Sequence, residues 1–417
     1  MTRAACFLFL LAACGADITP DQTASAPGDA PPPGATAGPS APVSPAPAAT
    51  PTPQPSPTLA TIPKGKVPML VAQGQLGRTM VSCDDGKTWK GNHSWDIDGD
   101  ALMCGQKQNV HCGDMCNYFI GGACVTLQCC DDTSDIAEGV AFANGTFVGY
   151  WGHGKPGAIR TSTNGVDWTT THTGDNLDGV AWGSGRFVAI GYTKSYWSSD
   201  GKTWTAGGKP SFNTGGSPVR SFGYGDYKGA GRFVAVSAGG GLRDINVSSD
   251  GGATWRRPTT IPADCALGVG TNGGDIMGFN DLLVIVDTNG NACRSTDGGD
   301  TWTVSPTGVT SIVAHGAWTG SELVYWGDKT TMITSKDGAT WTKTAMTTPT
   351  QIGPAARSLL GTYVGLRYVY DAYDRQHLLR STDGLNWQAL ATTDFVQSHA
   401  IFHITAGYGD PSTVCPL

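Results

Sequence analysis

The sequence predicts an all-β chain folded as a seven-bladed β-propeller whose ring is closed by its own C-terminal strand. Three observations predict it. The composition suits turns rather than helices, with 59 Gly, only 15% charged residues, and Asp for every acid except Glu138 and Glu322. One tryptophan-ended motif recurs seven times. The chain before the first copy has room for only two strands, and a spare strand follows the last copy.

The 417 residues begin with a different kind of segment. Met1–Arg3 carry a short positive start, and Ala4–Leu11 form an apolar run too short to span a bilayer but suited to an export signal. The run ends in Leu11-Ala12-Ala13-Cys14, which resembles the bacterial lipobox. That resemblance implies cleavage after residue 13 and acylation of Cys14. Gly15, rather than Asp, follows it, so outer-membrane anchoring is expected, on the periplasmic or the outer face. Residues 14–66 then read as the anchor plus a linker rich in Pro, Ala and Thr, without the large apolar residues a core needs. In polyproline II such a tether reaches on the order of 100 Å. Residues 67–417 remain for the propeller.

Ten cysteines lie beyond Cys6 and Cys14, an even number that points to disulfides in an exported chain. Six crowd into Cys104–Cys130 without C-x2-C spacing, so a metal site is not expected. Residues 94–135 read as an irregular, disulfide-stapled insertion between blades 1 and 2. Cys265 with Cys293 is the local pairing expected elsewhere.

The repeated box reads SCDDGKTW (82–89), STNGVDW (162–168), SSDGKTW (198–204), SSDGGATW (248–255), STDGGDTW (295–302), SKDGATW (335–341) and STDGLNW (381–387). Successive box tryptophans are 79, 36, 51, 47, 39 and 46 residues apart; all but the first suit one four-stranded blade. The first interval is lengthened by the insertion. In each box Ser and Asp oxygens can cap backbone N–H groups, Gly supplies positive φ, and Trp starts the next strand, large enough to pack into its neighbour. Upstream, GVAFANGTFVGYW (139–151) and GVAWGSGRFVAIGY (179–192) read as strand, turn and alternating strand. Before the first box only VPMLVAQG and RTMVS are available, whereas SHAIFHITAGYG (398–409) follows the last. Pairing that segment with blade 1 closes the ring without a free edge.

The boxes resemble the Asp-box (BNR) repeats of the sialidase-like superfamily, over residues 67 to the C-terminus. The resemblance implies that each box joins the third and fourth strands of a blade, on the face away from the ligand. The box residues are therefore structural: Asp84, Trp89, Asn164, Trp168, Asp200, Trp204, Asp250, Trp255, Asp297, Trp302, Asp337, Trp341, Asp383 and Trp387. Asn164 replaces Asp in the second box and can still cap the turn.

Ligands in such propellers sit near the axis on the opposite face. Aligning the inner strands puts Glu138, Asp178, Arg220, Asp275, His315, Arg357 and His399 there, either as a polar-substrate site or as a solvated rim. Glu138, Asp178, Arg220, Arg357 and His399 are the catalytic candidates. Tyr150-Trp151-Gly152-His153 and Tyr325-Trp326-Gly327-Asp328 look like parallel loops after the second strands, with Tyr370, Tyr373 and Arg375 in a comparable place. Tyr150, Trp151, Tyr325, Trp326, Tyr373 and Arg375 are thus ligand-binding candidates suited to sugar rings, or else aromatics packed between blades.

The Arg-Ile-Pro motif that carries the first substrate-binding Arg of sialidases is replaced by Thr61-Ile62-Pro63, and Arg78 is the only Arg between linker and first box. Sialidase activity is not expected. A binding module for extracellular glycans or cell-surface proteins, monomeric and without cofactor, is favoured over an enzyme. The alternative is a glycoside hydrolase using Glu138 and Asp178, or a polysaccharide lyase using His399, Arg357 and Tyr373. Net charge of −7 and the lack of a basic block argue against nucleic acid.

Overall fold

A computed structural model describes residues 61–74, 79–91, 118–120, 123–125, 137–151, 157–175, 177–191, 193–212, 219–239, 242–265, 275–312, 316–367, 377–390 and 401–414. Residues 1–60, which carry the expected signal, anchor and most of the linker, lie outside them.

Blade 1 starts with β1 (Val67–Gly74), β2 (Thr79–Ser82) and β3 (Lys90–Gly91). A separate hairpin of β4 (Tyr118–Ile120) and β5 (Ala123–Val125) follows, so the insertion is not wholly irregular as expected. Its register pairs Tyr118 with Val125, Phe119 with Cys124 and Ile120 with Ala123. Blade 2 is β6 (Ala137–Ala143), β7 (Thr146–Trp151), β8 (Ala158–Ser162) and β9 (Thr169–Thr173); blade 3 is β10 (Leu177–Gly183), β11 (Arg186–Gly191), β12 (Ser195–Ser198) and β13 (Thr205–Ala206). Blade 4 has β14 (Val219–Tyr227), β15 (Ala230–Gly239) and β16 (Leu242–Ser248), its fourth strand reduced to the bridge Val247↔Arg256. Blade 5 is β17 (Asp275–Phe279), β18 (Leu282–Val286), β19 (Asn291–Ser295) and β20 (Thr303–Pro306). Blade 6 is β21 (Ala317–Trp318), β22 (Leu323–Gly327), β23 (Thr331–Ser335) and β24 (Thr342–Ala345); blade 7 is β25 (Ile352–Arg357), β26 (Tyr363–Arg367), β27 (His377–Ser381) and β28 (Gln388–Ala389).

The last strand, β29 (Ile401–Gly409), pairs antiparallel with β1 from Val67↔Gly409 to Gly74↔Ile401. It becomes the inner strand of blade 1, giving the order β29-β1-β2-β3. The final strand thus fastens the first sheet, as the missing strand requires.

Each box joins the third strand of a blade to the fourth, and one geometry repeats. The box Ser hydroxyl donates to the acid or amide two residues on, at 2.8–3.2 Å, from Ser82→Asp84 to Ser381→Asp383. That side chain accepts from downstream N–H groups, as Asp200 does from Lys202 and Thr203 at 2.8 Å. These backbone donors, led by Thr203, pull the Asp200 carboxyl down to about 2. Asn164 Oδ1 accepts from Val166 and Asp167 at 3.0 and 2.8 Å, so a neutral side chain does the same work. Trp89, Trp302 and Trp387 are buried, while Trp168, Trp204, Trp255 and Trp341 are half-buried.

The box glycine has positive φ, between 69° and 92° across Gly86, Gly165, Gly201, Gly252, Gly299, Gly338 and Gly384. A Cβ there would fall 2.5–2.9 Å from a side chain of the preceding blade: Val364, Val71, Val148, Val188, Val247, Val284 and Met332 respectively. Glycine is therefore required twice over, by conformation and by close approach. Each blade seats its box on the blade before it.

At the seam where chain ends meet, the box has an extra feature. Asp85 sits at φ 64°, where boxes four and five have Gly251 and Gly298. Its carboxylate accepts from Ser358, Thr362 and Arg380, the last at 2.7 Å, and its carbonyl accepts from Arg380 Nε at 2.8 Å. Burial pushes this carboxyl up, but the Ser358, Thr362 and Arg380 bonds outweigh it and hold it below the ordinary value. Leu70, Ala72, Met80 and Trp89 pack on Val364, Leu366 and Leu378 across the same seam. Between blades 4 and 5, Cys265 and Cys293 form the expected disulfide, with Cα atoms 5.4 Å apart inside a buried cluster.

Asp85→Gly relieves a left-handed residue yet strips the three carboxylate bonds from Ser358, Thr362 and Arg380, leaving Arg380 its bonds to the residue 85 carbonyl and to Thr362 but no counter-charge. We expect a net loss of about 1.5–3 kcal/mol in urea denaturation; a gain would mean that backbone strain dominates. Because the folded carboxyl is lowered, wild type keeps this contribution above about pH 4 and loses it as pH falls through the folded value. The difference between wild type and Asp85→Gly should shrink accordingly in acid.

Candidate functional site

The inner strands share an irregularity at the end where they begin. In blade 2, Ala137 pairs with Trp151 and Gly139 with Tyr150, leaving Glu138 as an extra residue. In blade 3, Leu177 pairs with Gly191 and Gly179 with Ile190, leaving Asp178. In blade 4, Val219 pairs with Ser237 and Ser221 with Val236, leaving Arg220. Three consecutive blades thus hold a charged residue at the same β-bulge, a device that inserts one residue without flipping the faces of the rest. The local sequences Ala-Glu-Gly, Leu-Asp-Gly and Val-Arg-Ser explain it. The small residue after each charge lets neighbouring parts approach: a Cβ on Gly139 would lie 2.8 Å from the Tyr150 ring, and one on Gly179 2.6 Å from Phe222 of the next blade. Blade 1 has its bulge at Phe402, flanked by Gln73↔His403 and Gly74↔Ile401.

Asp178 is half-buried, and its Oδ2 accepts the Val219 N–H at 3.2 Å, so the blade 3 bulge caps the start of the blade 4 inner strand. Its carbonyl accepts from the Tyr150 hydroxyl at 3.1 Å. Just before it, buried Asp175 accepts from Thr193 N–H and hydroxyl at 3.2 and 2.7 Å. His172 faces Tyr196 with ring centres 4.3 Å apart; burial pushes the imidazole below its usual value, against the pull of Asp175. Asp275 opens β17, paired with Val286, at the same end of blade 5.

Arg357 does not join this set. It is the last residue of β25, paired with Tyr363 next to the turn into β26, and so sits at the opposite end of its inner strand, on the box face. Its guanidinium donates to the Thr319 carbonyl at 2.9 Å and lies over the Tyr363 ring. Aligning blade 7 on Arg357 misses because β25 begins at Ile352 with Gly-Pro in its bulge, which carries no charge to mark it. His315, His399, Tyr370, Tyr373 and Arg375 fall outside the described residues, as does Cys14.

The apparent parallel between Tyr150-Trp151 and Tyr325-Trp326 is one residue out of step. Phe147 and Leu323 each pair with their box serine, so Tyr150 corresponds to Trp326 and Trp151 to Gly327. A slip of one residue exchanges the faces of a strand. Tyr150 faces blade 3 in a cluster with Phe187, whereas Trp326 packs on blade 7, its N–H donating to Gly384 O at 2.8 Å. Tyr325 lies in the cluster with blade 5. Trp151 meets Trp168 edge-on at 5.1 Å, with the Arg160 guanidinium 5.0 Å from its ring centre. All four aromatics are buried. Their faces are filled by protein, so they offer no platform to a sugar ring.

One residue of this end escaped the sequence reading. Gln73, in the apolar run Val67–Gly74, is fully buried, and neither polar atom of its amide has a hydrogen-bond partner among the described residues. A polar residue in register with Met69 and Val71 was the available signal.

The sequence matches no family model and no curated protein. Among solved structures it resembles YCF48 from Cyanidioschyzon merolae, at 13% identity over 75% of this chain and 96% of that one, with a TM-score of 0.47. It also resembles apo AztD from Citrobacter koseri, at 10% identity over 82% and 99%, TM-score 0.44. A Lactobacillus plantarum protein is 12% identical over 82% and 99%, TM-score 0.46. These likenesses concern the fold and transfer no activity.

Asp178→Ala removes the cap on Val219. A loss of about 1 kcal/mol is expected, with faster amide exchange at Val219, whereas Asp178→Asn keeps an acceptor and most of the protection. Unchanged exchange in Asp178→Ala would show that the cap is idle.

Proposed function

We propose that this chain is an exported, lipid-anchored propeller of the Asp-box, sialidase-like kind that binds a polypeptide partner at the mouth formed by the starts of its inner strands. The observation carrying this reading is the bulge series Glu138, Asp178 and Arg220: acid, acid and base at equivalent positions of adjacent blades. Two acids beside a base on one rim suit a partner that carries both charges, and electrostatic complementarity then selects it. The buried aromatics speak against a glycan partner, because among the described residues the exposed large apolar side chains are only Val166 and Leu360. The box geometry supports the Asp-box kinship, and Leu11–Cys14 supports the anchor.

A glycoside hydrolase remains the second reading, favoured by one fact: Glu138 and Asp178 are equivalent carboxylates on neighbouring blades. One experiment separates the two. The full chain carrying Cys14→Ala is screened on peptide and glycan arrays and for release of reducing sugars and unsaturated uronates. Peptide binding weakened about tenfold in Glu138→Gln/Arg220→Gln, at unchanged melting temperature and without sugar release, is expected. Sugar release abolished by Glu138→Gln would replace this reading with the enzyme.

For the anchor, wild type should take up labelled palmitate and fractionate with membranes. Cys14→Ala should do neither; membrane association that survives the substitution would remove the lipid from the account.

A further inference from the structure

Gln73 is a poor choice for stability alone. Along β1, Met69 and Val71 face blade 2 and pack with Val81, Val140 and Phe147, while Leu70 and Ala72 face blade 7. Gln73 continues the blade 2 stripe at 0% exposure. Its Oε1 lies where only a glycine backbone fits, since a Cβ on Gly149 would stand 3.0 Å from it and 2.9 Å from the Trp151 ring. Both polar atoms of the Gln73 amide and the Trp151 indole N–H are buried without partners among the described residues. Leaving such groups unpaired is unfavourable, and an apolar side chain of similar volume would fill the place better. The seam is apolar and complete below this level; the unpaired groups collect at its upper end, Gln73 one residue before the end of β1 and Trp151 the last residue of β7. Trp151 there pairs with Ala137, directly behind the Glu138 bulge.

The chain shows elsewhere what a buried carboxamide does when satisfied. Asn246, also at 0% exposure, accepts the Ser211 N–H through Oδ1 at 3.0 Å and donates Nδ2 to the Ser211 carbonyl at 3.3 Å. One side-chain amide thereby serves both main-chain groups of a single residue. Gln73 presents the same donor and acceptor with no main chain of the described residues to meet them, and Trp151 adds a second donor for a further carbonyl.

We infer that the upper end of the seam between blades 1 and 2 is a receptor for the main chain of an extended peptide, read by Gln73 through one N–H and one C=O and by Trp151 through an adjacent C=O. This inference rests on the polypeptide-binding reading and extends it from charge to backbone recognition. Main-chain readout is indifferent to sequence, so Glu138, Asp178 and Arg220 would supply the selectivity that the amide lacks. Because the groups are buried in the free protein, the peptide must part the upper seam to reach them, and the unpaired polar atoms are what make that parting inexpensive.

The test uses the full chain carrying Cys14→Ala, with N-acetyl-glycyl-glycine N-methylamide as an uncharged main-chain probe and sodium acetate as an acceptor without an N–H. The readouts are the Trp151 indole N–H resonance, assigned through Trp151→Phe, and the melting temperature. The peptide probe should shift that resonance saturably and acetate should not. Gln73→Leu should raise the melting temperature by about 2 °C or more and abolish the response. Gln73→Met repeats the measurement should the branched side chain fit badly. A fall in melting temperature in both variants would mean that the free amide is already satisfied by an ordered water only, and would overturn the inference. So would an equal response to acetate, or a probe response that survives both substitutions. Array peptides whose binding depends on Glu138 and Arg220 but ignores both Gln73 variants would leave the proposed function standing and remove this site.

Discussion

The ring depends on a left-handed glycine pressed against its neighbour. In each box the Ser hydroxyl accepts that glycine's N–H, as Gly201 donates to Ser198 at 2.8 Å, and the Asp or Asn oxygen ties down the residues beyond. The turn is thereby rigid before it meets anything else. Its missing side chain leaves the space that a valine or methionine of the preceding blade occupies. A local turn rule and a tertiary packing rule are thus met by one residue, which is why the box tolerates Asn164 for Asp but always keeps its glycine. The carboxylate only caps N–H groups, and an amide oxygen can do that; nothing substitutes for an absent Cβ.

This coupling also explains what could be read from the sequence. Seven boxes, their spacing and the spare strand at 401–409 specify the number of sheets, the order β29-β1-β2-β3 and the seam where the ring closes. The charged bulges at Glu138 and Asp178 were visible too, because each stands before a Gly-Val-Ala run. The failures have one physical cause. A strand's side-chain period is two, so an alignment wrong by one residue assigns every side chain to the wrong face. Tyr-Trp in blades 2 and 6 looked equivalent as a dipeptide, but the distance to the box serine shows a shift of one. Arg357 misled similarly, since a bulge built of Gly353 and Pro354 carries no charge to mark the start of its strand. Gln73 is inconspicuous because the four residues before it, Met69–Ala72, are buried and apolar, and composition averages hide a single polar atom pair.

The two seams beside blade 1 differ in kind. Toward blade 7 it is held by an apolar cluster, by the pairing of its own inner strand, and by Asp85 bonded to Ser358, Thr362 and Arg380. Asp85 accepts a conformation that glycine fills in boxes four and five, so backbone strain of about 1 kcal/mol is exchanged there for a partly buried ion pair. That exchange is favourable where chain connectivity gives no help. Neighbouring blades elsewhere are joined by continuous backbone, but blades 7 and 1 meet only through side chains and the β29 strand.

A closed ring restricts where it can yield. Separating two blades along their whole seam would strain the other six, whereas parting one seam at a single end needs only local adjustment. Between blades 1 and 2 the lower part is sealed by Gly165 against Val71, with Met69, Val81 and Phe147 around it. The unpaired Gln73 and Trp151 groups occupy the other end. Cohesion therefore falls along this seam from the box face to the mouth, in the direction of the Glu138 bulge. The opposite flank of blade 1 is tied by Asp85 at the box face, so both flanks of this blade carry their strongest contacts at the end away from the mouth.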